Sequence, residues 1–365
     1  MKDQKKYRFL FAGGGTGGHL FPAIAVAERI QFHNPDAELL FIGTRSKIEG
    51  KIIPSLGYKF KSIWIKGFSR SFKPENLLFP LKLLVSLIQS VWINFRFKPD
   101  VAIGSGGYVA GPAIWGASVI GSKIILLEQN SLPGITTRLL EKCANEIHIS
   151  YEDSVKYFKD KSKLRLTGNP VRKSLELIDR EYALKQFRLK NRKTLLVLGG
   201  SLGASTINEA VAANLNEIVN NNIQIIWQTG KLYYDKFKAY ESDCVRVFPF
   251  IESMDAAYSS CNLLLARAGA TTIAEITMLG IPAILVPSPN VAENHQYYNA
   301  KSLFEKNAAF LVEDKILSEK MIEIVVALIT DDQKLNDLSS NAKKLSKPDA
   351  ADIIAKQAIK LADVK

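Results

Sequence analysis

Four segments of the chain have the composition of anion-binding turns. Ala12-Gly13-Gly14-Gly15-Thr16-Gly17-Gly18-His19 lies between an apolar run and a stretch of helical spacing. Glycines there permit positive φ, let backbone N–H groups approach an anion, and place that anion on the positive end of a helix. Gly104-Ser105-Gly106-Gly107-Tyr108 and Gly199-Gly200-Ser201-Leu202-Gly203-Ala204 follow other apolar runs in the same way. An ordinary turn explains any one of them, but three at the carboxyl ends of strands would line one crevice if two halves of the chain face each other. The fourth segment is Arg267-Ala-Gly-Ala-Thr-Thr-Ile-Ala-Glu275. Thr271 and Thr272 can cap the helix it opens and donate to phosphate oxygens. Glu275 can accept both hydroxyls of a ribose, although dipole stabilisation alone accounts for a glutamate early in a helix. Asn294-His295-Gln296 opens the next helix and can reach the same pocket.

The first loop is not a Walker motif, since no Lys-Ser or Lys-Thr follows it. It is also a poor dinucleotide fingerprint, because Phe41-Ile42-Gly43-Thr44 ends the second strand without an acidic residue.

These turns need strands before them and helices after them, and the pattern supplies both. Tyr7 to Ala12, Glu38 to Gly43, Asp100 to Ser105, Lys123 to Gln129 and Glu146 to Ser150 are short runs rich in Ile, Val and Leu. Helical segments separate them, as in a parallel sheet covered on both faces. Lys193 to Leu198, Ile223 to Gln228, Val245 to Pro249, Asn262 to Ala266 and Pro282 to Pro287 repeat the pattern, and the tail from about Ser318 reads as helix. Gly168 and Pro170 punctuate Lys163 to Arg172, which reads as the linker. The expected fold class is α/β: two Rossmann-like, doubly wound parallel-sheet domains. The expected limits are 1–168, 169–345 and a C-terminal helix over 346–365 that packs back on the first domain.

A length of 365 residues, with 47% apolar and 23% charged residues, suits two domains that bury cores without staples. Three scattered cysteines exclude a disulfide framework. Met1-Lys2-Asp3-Gln4 is charged and opens no apolar run, which predicts a reducing cytoplasmic setting. The formal charge of +12 is compatible with nucleic acid, an anionic membrane or phosphate-bearing substrates. No basic run interleaved with aromatics supports nucleic acid.

Asn76 to Phe97 is wider in apolar surface than a packing helix needs. Leu77, Leu81, Leu84, Ile88, Val91 and Phe95 form one stripe expected to pack on the sheet, while Leu78, Phe79, Val85, Leu87, Trp92 and Ile93 extend beyond it. Pro80, Lys82, Gln89 and Asn94 interrupt any transmembrane span. The reading is a helix partly docked on the fold and partly dipped into an anionic leaflet, with Arg70, Lys73, Lys82, Arg96 and Lys98 nearby. A core helix with an apolar exterior is the plainer alternative.

Read in order, G-G-T-G-G-H (Gly14 to His19), G-G-Y-V-A-G-P (Gly106 to Pro112), E-Q-N (Glu128 to Asn130), G-N-P-V-R (Gly168 to Arg172), G-G-S-L-G-A (Gly199 to Ala204) and R-A-G-A-T-T-I-A-E (Arg267 to Glu275) resemble the MurG family of N-acetylglucosamine transferases. The resemblance covers nearly the whole chain. It implies a GT-B fold, with the two domains facing across a cleft. It also implies inverting transfer of N-acetylglucosamine from UDP-N-acetylglucosamine to the muramyl 4-hydroxyl of undecaprenyl-diphosphate-linked muramyl-pentapeptide, at the cytoplasmic face of the inner membrane. Thr16, Gly17, Gly18 and Asn130 would approach the donor from the first domain. Arg172 and Ser201 would meet donor phosphate, and Ile251 would present backbone to uracil. Ala270, Thr271, Thr272, Ile273, Ala274 and Glu275 would hold phosphate and ribose, and Gln296 would contact the sugar. Gly104, Gly106, Gly107 and Tyr108 would face the acceptor diphosphate, and the helix carrying Leu78, Phe79, Val85 and Trp92 would face the membrane. Leu127 stands where some relatives carry histidine, so that side chain is not essential here.

Such a transfer needs a stabilised diphosphate and an activated hydroxyl. No Asp-x-Asp clamp stands at a strand end and no cofactor is implied, so helix N-termini with Arg172 and Arg267 would serve the first need. His19 is the leading base, with positioning as its rival role, and Glu128 is the second candidate. The competing readings are another GT-B enzyme, such as a UDP-N-acetylglucosamine epimerase or a glycolipid synthase, and a non-catalytic lipid-anchored binding module. The wide apolar helix argues against the epimerase.

Overall fold

The structure is a computed structural model that describes residues 6–67, 78–171, 175–200 and 202–364. The chain divides into two compact units, Met1–Arg172 with Lys347–Lys365, and Lys173–Ser346.

In the first unit, strands β1 (Arg8–Gly13), β2 (Glu38–Gly43), β3 (Lys59–Ser62), β4 (Val101–Gly106), β5 (Lys123–Glu128), β6 (Glu146–Ile149) and β7 (Leu164–Leu166) alternate with helices α1 (Gly17–His33), α2 (Glu49–Ser55), α3 (Phe79–Phe97), α4 (Ala110–Val119) and α5 (Ile135–Leu140). The strands pair in parallel in the order β3-β2-β1-β4-β5-β6-β7. The near-continuous burial of the central strands, such as β4 and β5, follows from helices on both faces. The order reverses between β1 and β4, where Phe9 pairs with Val101 and the register shifts after Ala12. That reversal opens the crevice in which doubly wound sheets bind ligands.

The second unit opens with α6 (Arg180–Gln186) and continues with β8 (Thr194–Leu198), α7 (Ser205–Asn220), β9 (Gln224–Gln228), α8 (Tyr234–Phe237), β10 (Val245–Phe248), α9 (Met254–Ser260), β11 (Leu263–Ala266), α10 (Ala270–Leu279) and β12 (Ala283–Leu285). It ends with α11 (His295–Phe304), β13 (Phe310–Leu311), α12 (Leu317–Ile329) and α13 (Asp332–Lys344). Its strands run β10-β9-β8-β11-β12-β13, again parallel, with the reversal between β8 and β11. Trp227 and Phe237 centre its core.

The last helix, α14 (Ala350–Asp363), lies in the first unit. Ile354, Ala355, Ala358 and Ala362 join the Phe9, Phe11 and Leu20 cluster beneath α1. Asp352 accepts from Arg29 at 2.5 Å and from His33 Nε2 at 2.7 Å, Lys356 pairs with it at 2.7 Å, and the Tyr7 hydroxyl donates to Asp363.

Two expectations change. The segment read as linker contains β7, an edge strand whose Arg165 and Leu166 are exposed and so carry no apolar run. The face of α3 is also inverted. Leu81, Leu84, Ile88 and Phe95, expected to pack on the sheet, are 50–64% exposed. Ser86, Ser90, Ile93 and Asn94 are buried instead. Small residues let the helices approach: a Cβ on Gly116 of α4 would come within 3.0 Å of Ser90 backbone. Asn94 Nδ2 donates to Ala113 O at 3.1 Å. The polar face buries because close approach outweighs apolar content at that contact. Among the described residues no helix is long and apolar enough to cross a membrane.

Candidate active site

At the β1–β4 reversal, His19 stands in the first turn of α1. Its Nδ1 lies 3.0 Å from Ser105 O. A carbonyl can only accept, so Nδ1 carries the proton in this bond, and in that tautomer the acceptor nitrogen is Nε2. The same carbonyl accepts from Gln129 Nε2 at 2.9 Å, and Ser105 Oγ donates to His19 O at 2.7 Å. Glycine is needed around the ring: a Cβ on Gly106 (φ 98°) would fall 2.7 Å from Nδ1, and one on Gly107 (φ 79°) 2.6 Å from Gly14 O. Gly13 has no room for a Cβ beside Ser105 Oγ, which would lie 1.8 Å away. Thr16 is exposed at the start of α1 and makes no side-chain cap, leaving the Gly17 and Gly18 end of the helix without one.

Glu49 was missed by sequence reasoning. It is 1% exposed, and its carboxylate accepts from Gly15 N (3.0 Å), Thr44 N (3.1 Å) and Thr44 Oγ1 (2.7 Å). The first loop is therefore braced from behind by a carboxylate, which weakens it as an anion cradle. A glutamate opening a short helix gave no such signal. Tyr108 joins the same wall, its hydroxyl 3.5 Å from Thr44 Oγ1. Burial pushes that phenol above its usual pKa. Gly104 is buried in β4 beneath Ile114 and Leu126.

Glu128 ends β5. It is 3% exposed, and its oxygens accept from Asn130 N (3.0 Å), Asn130 Nδ2 (3.3 Å) and Gly134 N (3.0 Å). Burial raises its pKa against the pull of those donors and of Thr137. The geometry is that of an anchor for the 129–134 loop, which also sets Asn130.

At the β8–β11 reversal, the chain is tight at Gly203. A Cβ on Gly203 (φ 89°) would meet Thr229 O at 2.1 Å. Gln228 donates to Gly200 O at 3.3 Å and accepts from Ile251 N at 2.8 Å, which ties the two segments together. Helix α10 follows β11 with Gly269 as N-cap and no side-chain cap, so its first N–H groups have no side-chain acceptor. The expected capping by Thr271 or Thr272 is absent because both lie inside the helix. Thr271 Oγ1 is buried without a partner. Ala270 and Ile273 are buried, Ala274 is half-buried, and Glu275 in the second turn accepts from the Tyr258 hydroxyl at 2.7 Å.

Arg267 is not free for a diphosphate. It pairs with Asp314 and donates to Thr206 Oγ1 (2.6 Å) and Val286 O (3.2 Å), stapling the ends of β11 and β12 to the start of α7. Gln296 accepts from Ser288 N at 2.9 Å and so fixes the loop before α11. Arg172 and Ser201 lie outside the described residues.

On the outer face of α3, Leu78 is 49% and Trp92 56% exposed, while Phe79 and Val85 are half-buried. Lys82 lies 5.6 Å from the Trp64 ring and Arg96 4.8 Å from that of Trp92, so cations rim the apolar surface.

Comparison with known proteins agrees with this architecture. Residues 9–149 match the glycosyltransferase family 28 N-terminal domain and residues 194–354 its C-terminal domain. The chain is 41% identical to the UDP-N-acetylglucosamine–N-acetylmuramyl-(pentapeptide) pyrophosphoryl-undecaprenol N-acetylglucosamine transferase of Flavobacterium psychrophilum, covering 98% of this chain and 99% of that one. It is 43% identical to the protein of the same name from Christiangramia forsetii, covering 98% of each. Among solved structures, Acinetobacter baumannii MurG superposes with a TM-score of 0.75 at 26% identity, over 98% of this chain and 100% of that one.

Proposed function

The chain belongs to the MurG family of glycosyltransferases, and from that membership we propose that it moves N-acetylglucosamine from UDP-N-acetylglucosamine to the muramyl 4-hydroxyl of undecaprenyl-diphosphate-linked muramyl-pentapeptide. One observation carries the assignment of roles: each sheet ends, at its strand-order reversal, in a different chemistry. The second unit offers an uncapped helix start, Thr271 with an unpartnered hydroxyl, and a braced carboxylate at Glu275. Those groups suit a nucleoside diphosphate: α10 N–H groups and Thr272 for phosphate, Glu275 for ribose, the Ile251 backbone for uracil, and Gln296 for the sugar. Arg172 and Ser201 complete the phosphate contacts.

The first unit offers an imidazole of fixed tautomer among glycines. His19 Nε2 takes the proton of the attacking hydroxyl as the sugar–phosphate bond breaks, and the reaction inverts the sugar carbon. Ser105 and Gln129 orient the ring, and Glu128 acts through the loop that sets Asn130. Gly106, Gly107 and Tyr108 border the acceptor diphosphate, and Thr16, Gly17 and Gly18 meet the donor from the first domain. The exposed face of α3 with its cationic rim holds the protein on an anionic membrane surface, where the lipid acceptor resides. Incubation with both substrates should add one N-acetylglucosamine to the lipid-linked acceptor, read by mass. A product of free N-acetylglucosamine or its epimer instead would overturn the proposal.

A further inference from the structure

Hydrogen bonds link the segments of the second unit that the proposed function gives to the donor. Gln228, ending β9, joins Gly200 O to Ile251 N. The chain enters α9 three residues after Ile251, and from that helix Tyr258 donates its hydroxyl to Glu275 Oε2 across 2.7 Å. Tyr258 is 1% exposed, so water does not compete for that bond. Glu275 is half-buried on α10. Burial and the neighbouring carboxylate hold the phenol's pKa well above its usual value, which keeps it a donor. A glutamate left to itself would lose rotamer freedom on gripping a diol, whereas one already held has lost it on folding.

We propose that Tyr258 is a positioning residue for ribose recognition: its hydroxyl fixes Glu275 in the rotamer that faces the ribose diol, and α9 sets that carboxylate at a constant distance from the uracil-facing backbone of Ile251. The inference rests on the ribose reading of Glu275. It makes the site selective for nucleoside diphosphates that carry both ribose hydroxyls.

The test titrates the full chain and its Tyr258→Phe and Glu275→Ala variants with UDP and with 2′,3′-dideoxy-UDP. Tyr258→Phe should weaken UDP about tenfold or more, the loss of one hydrogen bond to a charged group. It should leave the dideoxy affinity unchanged, so the preference for ribose shrinks by the same factor. In turnover the loss should fall on KM for UDP-N-acetylglucosamine rather than on kcat. Equal weakening of both nucleotides would mean that Tyr258 serves only the packing of α9, and an undiminished preference would mean that its hydroxyl positions nothing. Either result overturns the proposal. Glu275→Ala separates the two ideas. If it keeps the ribose preference, the reading of Glu275 itself falls. If it abolishes the preference while Tyr258→Phe retains it, only the role of Tyr258 falls. The preference is a ratio of two dissociation constants in one preparation, so a reduced folded fraction does not move it.

Discussion

Replacing Leu84, Ile88 and Trp92 together with serine should release the protein from anionic vesicles. These side chains are 57%, 62% and 56% exposed, so slightly more than half of each remains to be buried by a bilayer. Full burial of such a side chain is worth about 1.5–3 kcal/mol, so each contributes about 1 kcal/mol here. Three contribute about 3 kcal/mol, which corresponds to roughly a hundredfold in partitioning. Lys82, Arg96 and Lys98 add about 1 kcal/mol each near an anionic surface, so residual binding should fall further with salt. The substitutions leave the buried Ser86, Ser90 and Asn94 contact with α4 untouched, and UDP affinity should be unchanged. Co-sedimentation with phosphatidylglycerol vesicles measures the first effect and nucleotide titration the second. A folded triple variant that sediments like the parent would refute the membrane role of this face. Loss of the fold would show that the face is core.

Three further outcomes are expected. His19→Ala should lower kcat about a hundredfold or more, measured at saturating donor; full turnover would remove His19 from the chemistry. Glu275→Ala should weaken UDP by about 1–3 kcal/mol in calorimetry, the cost of unpairing buried polar groups; unchanged affinity would count against the ribose contact. Asp352 is held below the usual carboxylate range by Lys356, Arg29 and His33. A depressed pKa stabilises the fold only while the group is ionised, so the benefit is present above its unfolded pKa of about 4 and fades as pH falls. Asp352→Asn should therefore cost about 1 kcal/mol near neutral pH, and the gap to the parent in urea unfolding should narrow below about pH 4. A gap that does not change with pH would show that the α14 tether owes nothing to that charge.

Much of the architecture was legible because buried parallel strands advertise themselves as short apolar runs, and those preceding the glycine loops do so clearly. Lys59–Ser62 and Leu164–Leu166 were not, because short edge strands with exposed residues carry no such run, and Phe310–Leu311 is only two residues long. The α3 face misled for a different reason. Apolar periodicity locates a stripe but not its partner, and here the close approach of Ser90 to Gly116 decided which side was buried. In the site, the motifs marked the loops, yet they did not separate residues that meet a ligand from those that brace the loop. Glu128, Arg267 and Glu49 are braces whose roles depend on where the surrounding chain folds, and Glu49 reaches Gly15 across thirty-four residues. His19 was read as a base from its type and place. The carbonyl that sets its tautomer, Ser105 O, lies eighty-six residues away and is invisible to local pattern.

The proposed transfer is tested by UDP release from UDP-N-acetylglucosamine with and without lipid-diphosphate muramyl-pentapeptide. Release should depend on the acceptor, match the N-acetylglucosamine gained by the lipid mole for mole, and collapse in the His19→Ala protein while UDP still binds. Release at the same rate without acceptor, or binding of the donor with no release when acceptor is present, would contradict it.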